Sequence, residues 1–172
     1  MYQFRVKKTE TTIINYLDNV ENRNKYIMEL ELSIIDYTSP FYEAVLSLRN
    51  DILRRPLGLN LYEEDLHEDR DQYIVIAVME HQLQACLMLK ILDHITVKIR
   101  QMAVATSMQH KGVGLMIMTY AENFCALNNY TIVELHARKT AVGFYKKLGY
   151  QTDGIEFEEV GIPHVKMTKN LS

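Results

Sequence analysis

The segment QHKGVGL, from Gln109 to Leu115, has the residue types and spacing to hold an anion. It follows an apolar run and leads into a second one with helical spacing, so Gly112 and Gly114 stand where a helix begins. A helix start has unpaired amides and a partial positive charge, and glycine lacks the Cβ that would keep a phosphate away from the backbone. Taken alone, such a loop also serves as a plain turn. It lacks the Lys-Ser/Thr that ends a Walker loop, and it is too short and too late in the chain for a Gly-x-Gly-x-x-Gly dinucleotide turn. Three other side chains could move a proton. Tyr145 carries a phenol with an ordinary pKa of about 10, and its structural alternative is a core aromatic beside Phe144. His136 lies in a strand-like run with Glu134, and His164 follows Pro163 at the start of the last such run; either accepts a proton near neutrality, although a lone strand histidine is more often structural.

The chain that must position these groups has 172 residues, 48% of them apolar, enough to bury the core of one domain. Residues 1–172 are expected to form that single domain, with 1–25 an N-terminal extension of unassigned structure. A net charge of −3 gives no general attraction to nucleic acid or to an anionic membrane. No apolar stretch approaches the roughly 20 residues that span a bilayer, and MYQFRVKKTE is no signal peptide, so the cytoplasm is the expected location. Cys86 and Cys125 each sit in an apolar segment and read as buried thiols rather than a disulfide or metal site. No metal is expected.

Periodicity predicts a helix over Thr11–Asn22 and then a strand over Tyr26–Asp36, the first of the main sheet, where Leu30, Leu32 and Ile34 alternate with Glu29, Glu31 and Ser33. Ser39-Pro40 opens a helix running to about Arg54, which Pro56 and Gly58 close. Leu61 to Asp71 holds six carboxylates and one arginine, a solvated helix or loop. Tyr73–Met79 and Leu83–Ile91 form a hairpin across Glu80-His81-Gln82. A strand at 95–105, a helix at 112–128, a strand at 132–137 and a helix at 140–148 capped by Gly149 follow. Strands near 150–157 and 164–168 end the chain, and the order fits a mixed sheet with helices on both faces.

The strand at 95–105 changes phase. Ile95, Val97 and Ile99 are apolar at odd positions, Met102 and Val104 at even ones. Either an extra residue near Arg100-Gln101 restores the register as a β-bulge, leaving backbone groups unpaired for a ligand, or both faces of the strand are buried and phase has no meaning.

Met102-Ala103-Val104 followed by Gln109-x-x-Gly112-x-Gly114 resembles the acyl-CoA loop of the GCN5-related N-acetyltransferases (GNAT). ELHARKTAVGFYKKLGY, from Glu134 to Tyr150, resembles the same family at matching spacing. LRNDILRRPLGLNLYEEDL and FEEVGIPHVKM resemble, more loosely, the first helix and loop and the closing strands of a subgroup. Many members have glycine directly after the first loop residue, where this chain has His110 and Lys111; the contacts are largely from backbone amides, and Lys111 adds charge near phosphate.

The resemblance implies an α/β (α+β) fold: a mostly antiparallel twisted sheet, splayed between its fourth and fifth strands, with helices on both faces. It implies transfer of an acetyl group from acetyl-CoA to a primary amine of a small molecule or peptide by direct attack in a ternary complex, and it allows a homodimer. The backbone of Met102, Ala103 and Val104 would pair with the pantetheine arm, and the residues Gln109, His110, Lys111, Gly112, Val113, Gly114 and Leu115 would hold the pyrophosphate. Tyr145 would be the acid for the leaving thiolate. His164, at the end of the chain that borders the acceptor site, stands ahead of His136 as base, with a water chain or no base as alternatives. The acidic run either is a solvated face or draws a cationic amine to the acceptor entrance. A sensor that binds acyl-CoA without turnover, and an interaction domain whose glycine loop is only a turn, are the rival readings.

Overall fold

The alternation of apolar and charged residues in the second strand shows how the sheet was built: Leu30 and Leu32 are fully buried while Glu29 and Glu31 face solvent. The computed structural model describes residues 12–17, 27–154 and 156–171. Its elements, in chain order, are β1 (Thr12–Leu17), β2 (Ile27–Ile35), α1 (Tyr42–Arg49), β3 (Tyr73–Met79), β4 (Gln82–Ile91), β5 (Thr96–Val104), α2 (Val113–Leu127), β6 (Ile132–Arg138), α3 (Val142–Lys147), β7 (Gln151–Thr152), β8 (Phe157–Glu159) and β9 (Ile162–Asn170). The strands run in the order β1-β2-β3-β4-β5-β6-β9-β7, with β8 also on β9. Every described pairing is antiparallel except β5 with β6.

Four expectations need correction. The helix expected over Thr11–Asn22 is a strand where it is described, since Thr12–Leu17 pair with Leu32–Ile27, and the rest of that range lies outside the described residues. The TIINYL segment is short, and cross-strand hydrogen bonding to β2 decided its state over any local period. The strand expected over Tyr26–Asp36 is described as Ile27–Ile35 and is the second of the sheet, and the expected fourth and fifth strands are β5 and β6. The helix expected from Pro40 begins at Tyr42; Ser39 Oγ accepts from the Phe41 amide at 3.2 Å, one residue before the helix proper. It is α-helical only to Arg49, then widens to a π-helical turn over Asn50–Arg54 and tightens to a 3-10 turn at Arg55–Leu57, which Gly58 ends with φ +71°. The β3–β4 link is two residues, Glu80 and His81, both left-handed, and Gln82 already pairs with Met79.

The sheet buries both faces. On one, Leu87, Leu89, Val97, Ile99, Val133 and Leu135 pack against Val113, Ile117, Ala121 and Phe124 of α2. On the other, Ile74, Ile76, Cys86, Met88 and Ala103 pack with Val45 of α1. Both cysteines are fully buried, as expected, and burial pushes each thiol up to about 12. Gly149 takes the left-handed conformation expected of a helix end, φ +89°.

The phase break in β5 is a bulge. Met88 pairs with Arg100 and Cys86 with Ala103, so Leu87 alone faces the two residues Gln101 and Met102. Gln101 is left-handed, φ +49°. That conformation costs an L-residue about 1–2 kcal/mol, and its side chain answers it: Arg49 Nε donates to Gln101 Oε1 at 2.6 Å, a charge-assisted bond of about 1.5–3 kcal/mol. Arg49 is itself completely buried and gives its Nη1 to Asp69 Oδ2 at 2.6 Å, which also accepts from Tyr42 Oη at 2.8 Å. Asp69 thus departs from the expected solvated character of the acidic run. Truncating it by Asp69→Ala leaves the Arg49 charge buried and unpaired, and urea unfolding should show a loss of about 3–5 kcal/mol. The double variant Arg49→Met/Asp69→Ala should recover much of it; a single variant as stable as wild type would remove the pair from the support of the bulge.

Candidate active site

Just before the bulge β5 and β6 part. They are paired only from Thr96–Ile132 to Ile99–Leu135; past that point β5 is hydrogen-bonded on its β4 side and His136–Arg138 of β6 on their β9 side. The opening is a cleft of about 1050 Å³ whose lining reaches from Met102 and Val104 through the loop at Gln109, His110, Gly112, Gly114 and Leu115 to Tyr145 and His164. Ala103, Lys111 and Val113, also expected at the site, do not line it. Ala103 turns toward α1, and Val113, the first residue of α2, is fully buried.

The loop is fixed at both ends. Gln109 Nε2 donates to the Val104 carbonyl at 3.1 Å, tying it to the end of β5. His110 and Gly112 are left-handed, φ +60° and +84°. Gly112 precedes the first helical residue with no side chain capping the turn and no acidic residue in it, so the first amides of α2 have no acceptor from the helix, and Gly112 and Gly114 line the cleft. Gly114 has a different use: a Cβ there would come within 3.2 Å of the Met102 methyl and 3.4 Å of the Phe144 ring, so the missing side chain lets α2, β5 and α3 close together.

The alternation of β6 separates two faces. Val133, Leu135 and Ala137 point into the α2 core, so Glu134, His136 and Arg138 project toward the α1 side, joined by Lys98 from β5 and His164 from β9, which is the register partner of Arg138. Here His136 Nδ1 lies 2.6 Å from Glu159 Oε2, and Lys98 Nζ lies 2.9 Å from His136 Nε2. Burial holds the Lys98 ammonium below its ordinary pKa against the pull of Glu134 and Glu159. Burial would raise Glu159, yet its hydrogen bond to His136 and the neighbouring charges outweigh that and hold the carboxyl below the usual range. His164, also buried, has Nδ1 2.9 Å from the Ile162 carbonyl and stacks on Phe157. Tyr145 has Oη 3.7 Å from Met102 Sδ and its ring against Phe144 and Tyr150; burial pushes its pKa up to about 12, with Arg138 opposing.

A sheet opened between a bulged strand and its parallel neighbour, with an uncapped helix start at one end of the opening, can bind an extended ligand with an anionic terminus. Residues 57–171 match the family model described as an acetyltransferase (GNAT) domain. The chain belongs to the GNAT acetyltransferase family. By that membership it is an acyltransferase. The chain is similar to the uncharacterized protein YyaT of Bacillus subtilis (strain 168), 34% identical over 110 residues, 64% of this chain and 73% of YyaT. The fold is similar to that of Escherichia coli ElaA, TM-score 0.72 at 21% identity over 81% of this chain and 99% of ElaA. It is also similar to a GNAT family acetyltransferase from Elizabethkingia anophelis with acetyl-CoA bound, TM-score 0.63 at 17% identity over 83% and 98% of the two chains. No described helix is long and apolar enough to cross a membrane.

Within this GNAT frame the acidic run meets the cleft as one half of a set of ion pairs. Glu64 pairs with Arg54, Glu68 with Arg100 and Lys90, and Asp69 with Arg49. Sequence reasoning missed Lys98, Glu159 and Arg138 as site residues; Glu159 lies 23 positions from His136, and the two meet because β6 and β8 both pair with β9. A carboxyl held low in the folded state stabilises above its unfolded pKa of about 4.3 and loses that contribution as pH falls through the folded value. NMR titration should therefore find Glu159 below an ordinary glutamate. In His136→Leu it should rise, because burial remains when the hydrogen bond is gone; an unchanged titration would show that His136 does not hold it.

Proposed function

We propose that this chain transfers an acetyl group from acetyl-CoA to a primary amine by direct attack within a ternary complex. The observation that supports the reading most is the parting of β5 and β6 beside the uncapped start of α2. The free edge of β5 at Met102–Val104 suits a pantetheine amide chain, which hydrogen-bonds as an added strand would. The amides over 109–115 suit a pyrophosphate at a helix start. The residues present fit acetyl-CoA as the acyl donor without further groups.

On the other side of the opening, His164 is the better base of the two histidines. A carbonyl can only accept, so Nδ1 of His164 carries its proton toward Ile162 and Nε2 keeps a free lone pair. Both ring nitrogens of His136 have partners. In this reading His164 takes a proton from the acceptor ammonium, the amine nitrogen forms a bond to the thioester carbonyl carbon, the carbon–sulfur bond breaks as Tyr145 Oη gives its proton to the departing thiolate, and the second proton that the nitrogen loses as the amide forms restores the phenol. With a pKa pushed up to about 12, the phenol stays protonated through the assayable range.

Calorimetry with acetyl-CoA and free-thiol release across an amine panel test the reading together. Binding with amine-dependent thiol release is the expected result, and absence of acetyl-CoA binding would refute it. Tyr145→Phe should lower kcat by about 10²–10⁴ with acetyl-CoA affinity kept. His164→Ala should remove the acidic limb of the kcat/KM profile, and an intact limb would take His164 out of the mechanism.

A further inference from the structure

Among the described residues, the arginines on the α1 side of the cleft have carboxylate partners except Arg138, and Lys98 lies against a histidine that itself meets a carboxylate. Arg49, Arg54 and Arg100 pair with Asp69, Glu64 and Glu68, and Lys98 sits on the His136–Glu159 pair. Arg138 has no carboxylate among the described residues; its one hydrogen bond runs from Nη2 to the Leu53 carbonyl at 3.2 Å. It is half-buried at the end of β6 and lines the cleft. An enclosed cation without a counter-ion is unfavourable. Burial and the nearby charge of Arg54 both press its pKa below the usual arginine range. Arg138 therefore has donors left over on the cleft wall.

The phosphates of the acyl donor do not account for them. The loop suited to those phosphates starts α2, on the opposite face of the sheet. Arg138 instead neighbours His164 across the β6–β9 ladder, where side chains of partnered residues stand about 4.5–5.5 Å apart at Cβ. A group held by Arg138 and an amine nitrogen held by His164 thus belong to one small molecule.

We infer that Arg138 binds an anionic group of the acceptor, so that the amine substrate carries a carboxylate or a phosphate a few bonds from the nitrogen that is acetylated. The inference rests on the acetyl transfer proposed above.

The test uses matched acceptors at saturating acetyl-CoA, read as free-thiol release: each L-amino acid against its carboxamide, and phosphoethanolamine against ethanolamine. The acid of at least one pair should exceed its neutral partner in kcat/KM by about ten- to a hundredfold, and which pairs respond tells carboxylate from phosphate. Arg138→Gln should reduce that ratio to within about threefold, and Arg138→Lys should keep part of it, with acetyl-CoA affinity as the folding control. Should Arg138→Gln fail to fold, the wild-type ratios and Arg138→Lys still decide. Neutral amines acetylated as well as their anionic partners, or a ratio that survives Arg138→Gln, would overturn the inference and leave acetyl transfer standing. Absence of thiol release with every amine, without acetyl-CoA binding, would sink both.

Discussion

The bond between the Arg49 guanidinium and the Gln101 side chain governs what the sheet can do. A nine-residue strand such as β5 would pair with β6 along its length if its register were regular. The second residue that β5 places opposite Leu87 turns the strand, and a left-handed Gln101 marks the turn. Such a conformation persists only where surrounding groups over-determine it. Arg49 does this from α1, and Asp69 and Tyr42 hold Arg49 in turn. One buried polar network thus fixes α1, the acidic turn and the bulge relative to one another, and the cleft is what remains between β5 and β6.

Opening a sheet in this way separates two environments that a closed sheet would keep apart. On the α2 side lie an apolar core and the uncapped amides of a helix start. On the α1 side β6 and β9 present histidines and charged residues to the cleft. The slot joins them, and Tyr145 lies beside Met102, which is in the same slot. A phenol that burial drives up to about 12 is a weak acid in bulk terms. Its competence depends on meeting a thiolate in the same low-dielectric space, where an unprotonated sulfur is equally disfavoured.

Much of this was legible along the chain because it rests on local period. The phase change between Ile99 and Met102 was written in alternating apolar residues, and the glycines of the loop stand next to the helix they begin. Gly114 was legible only as a glycine: that it makes room for Met102 and Phe144, as Gly112 makes a left-handed turn, depends on packing. Asp69 could not be told from its five acidic neighbours, since its burial depends on an arginine 20 positions away. The Lys98–His136–Glu159 group joins three strands through parallel and antiparallel pairings with no common sequence window. For β1 the local pattern misled, because six residues with mixed polarity take the structure their neighbour offers.

The charge arrangement bears on how an acceptor would be chosen. The acidic run suggested long-range attraction of a cationic amine. However, Glu64, Glu68 and Asp69 each face a cation at hydrogen-bond distance, and paired charges leave little field beyond the Debye length of about 8–10 Å. Selection in such a cleft falls to contact rather than steering. Contact discrimination is strongest where a buried donor is left unsatisfied by the wrong ligand. In the proposed transfer Arg138 is the donor in that position, so an acceptor with an anionic group would satisfy it better than its neutral counterpart would.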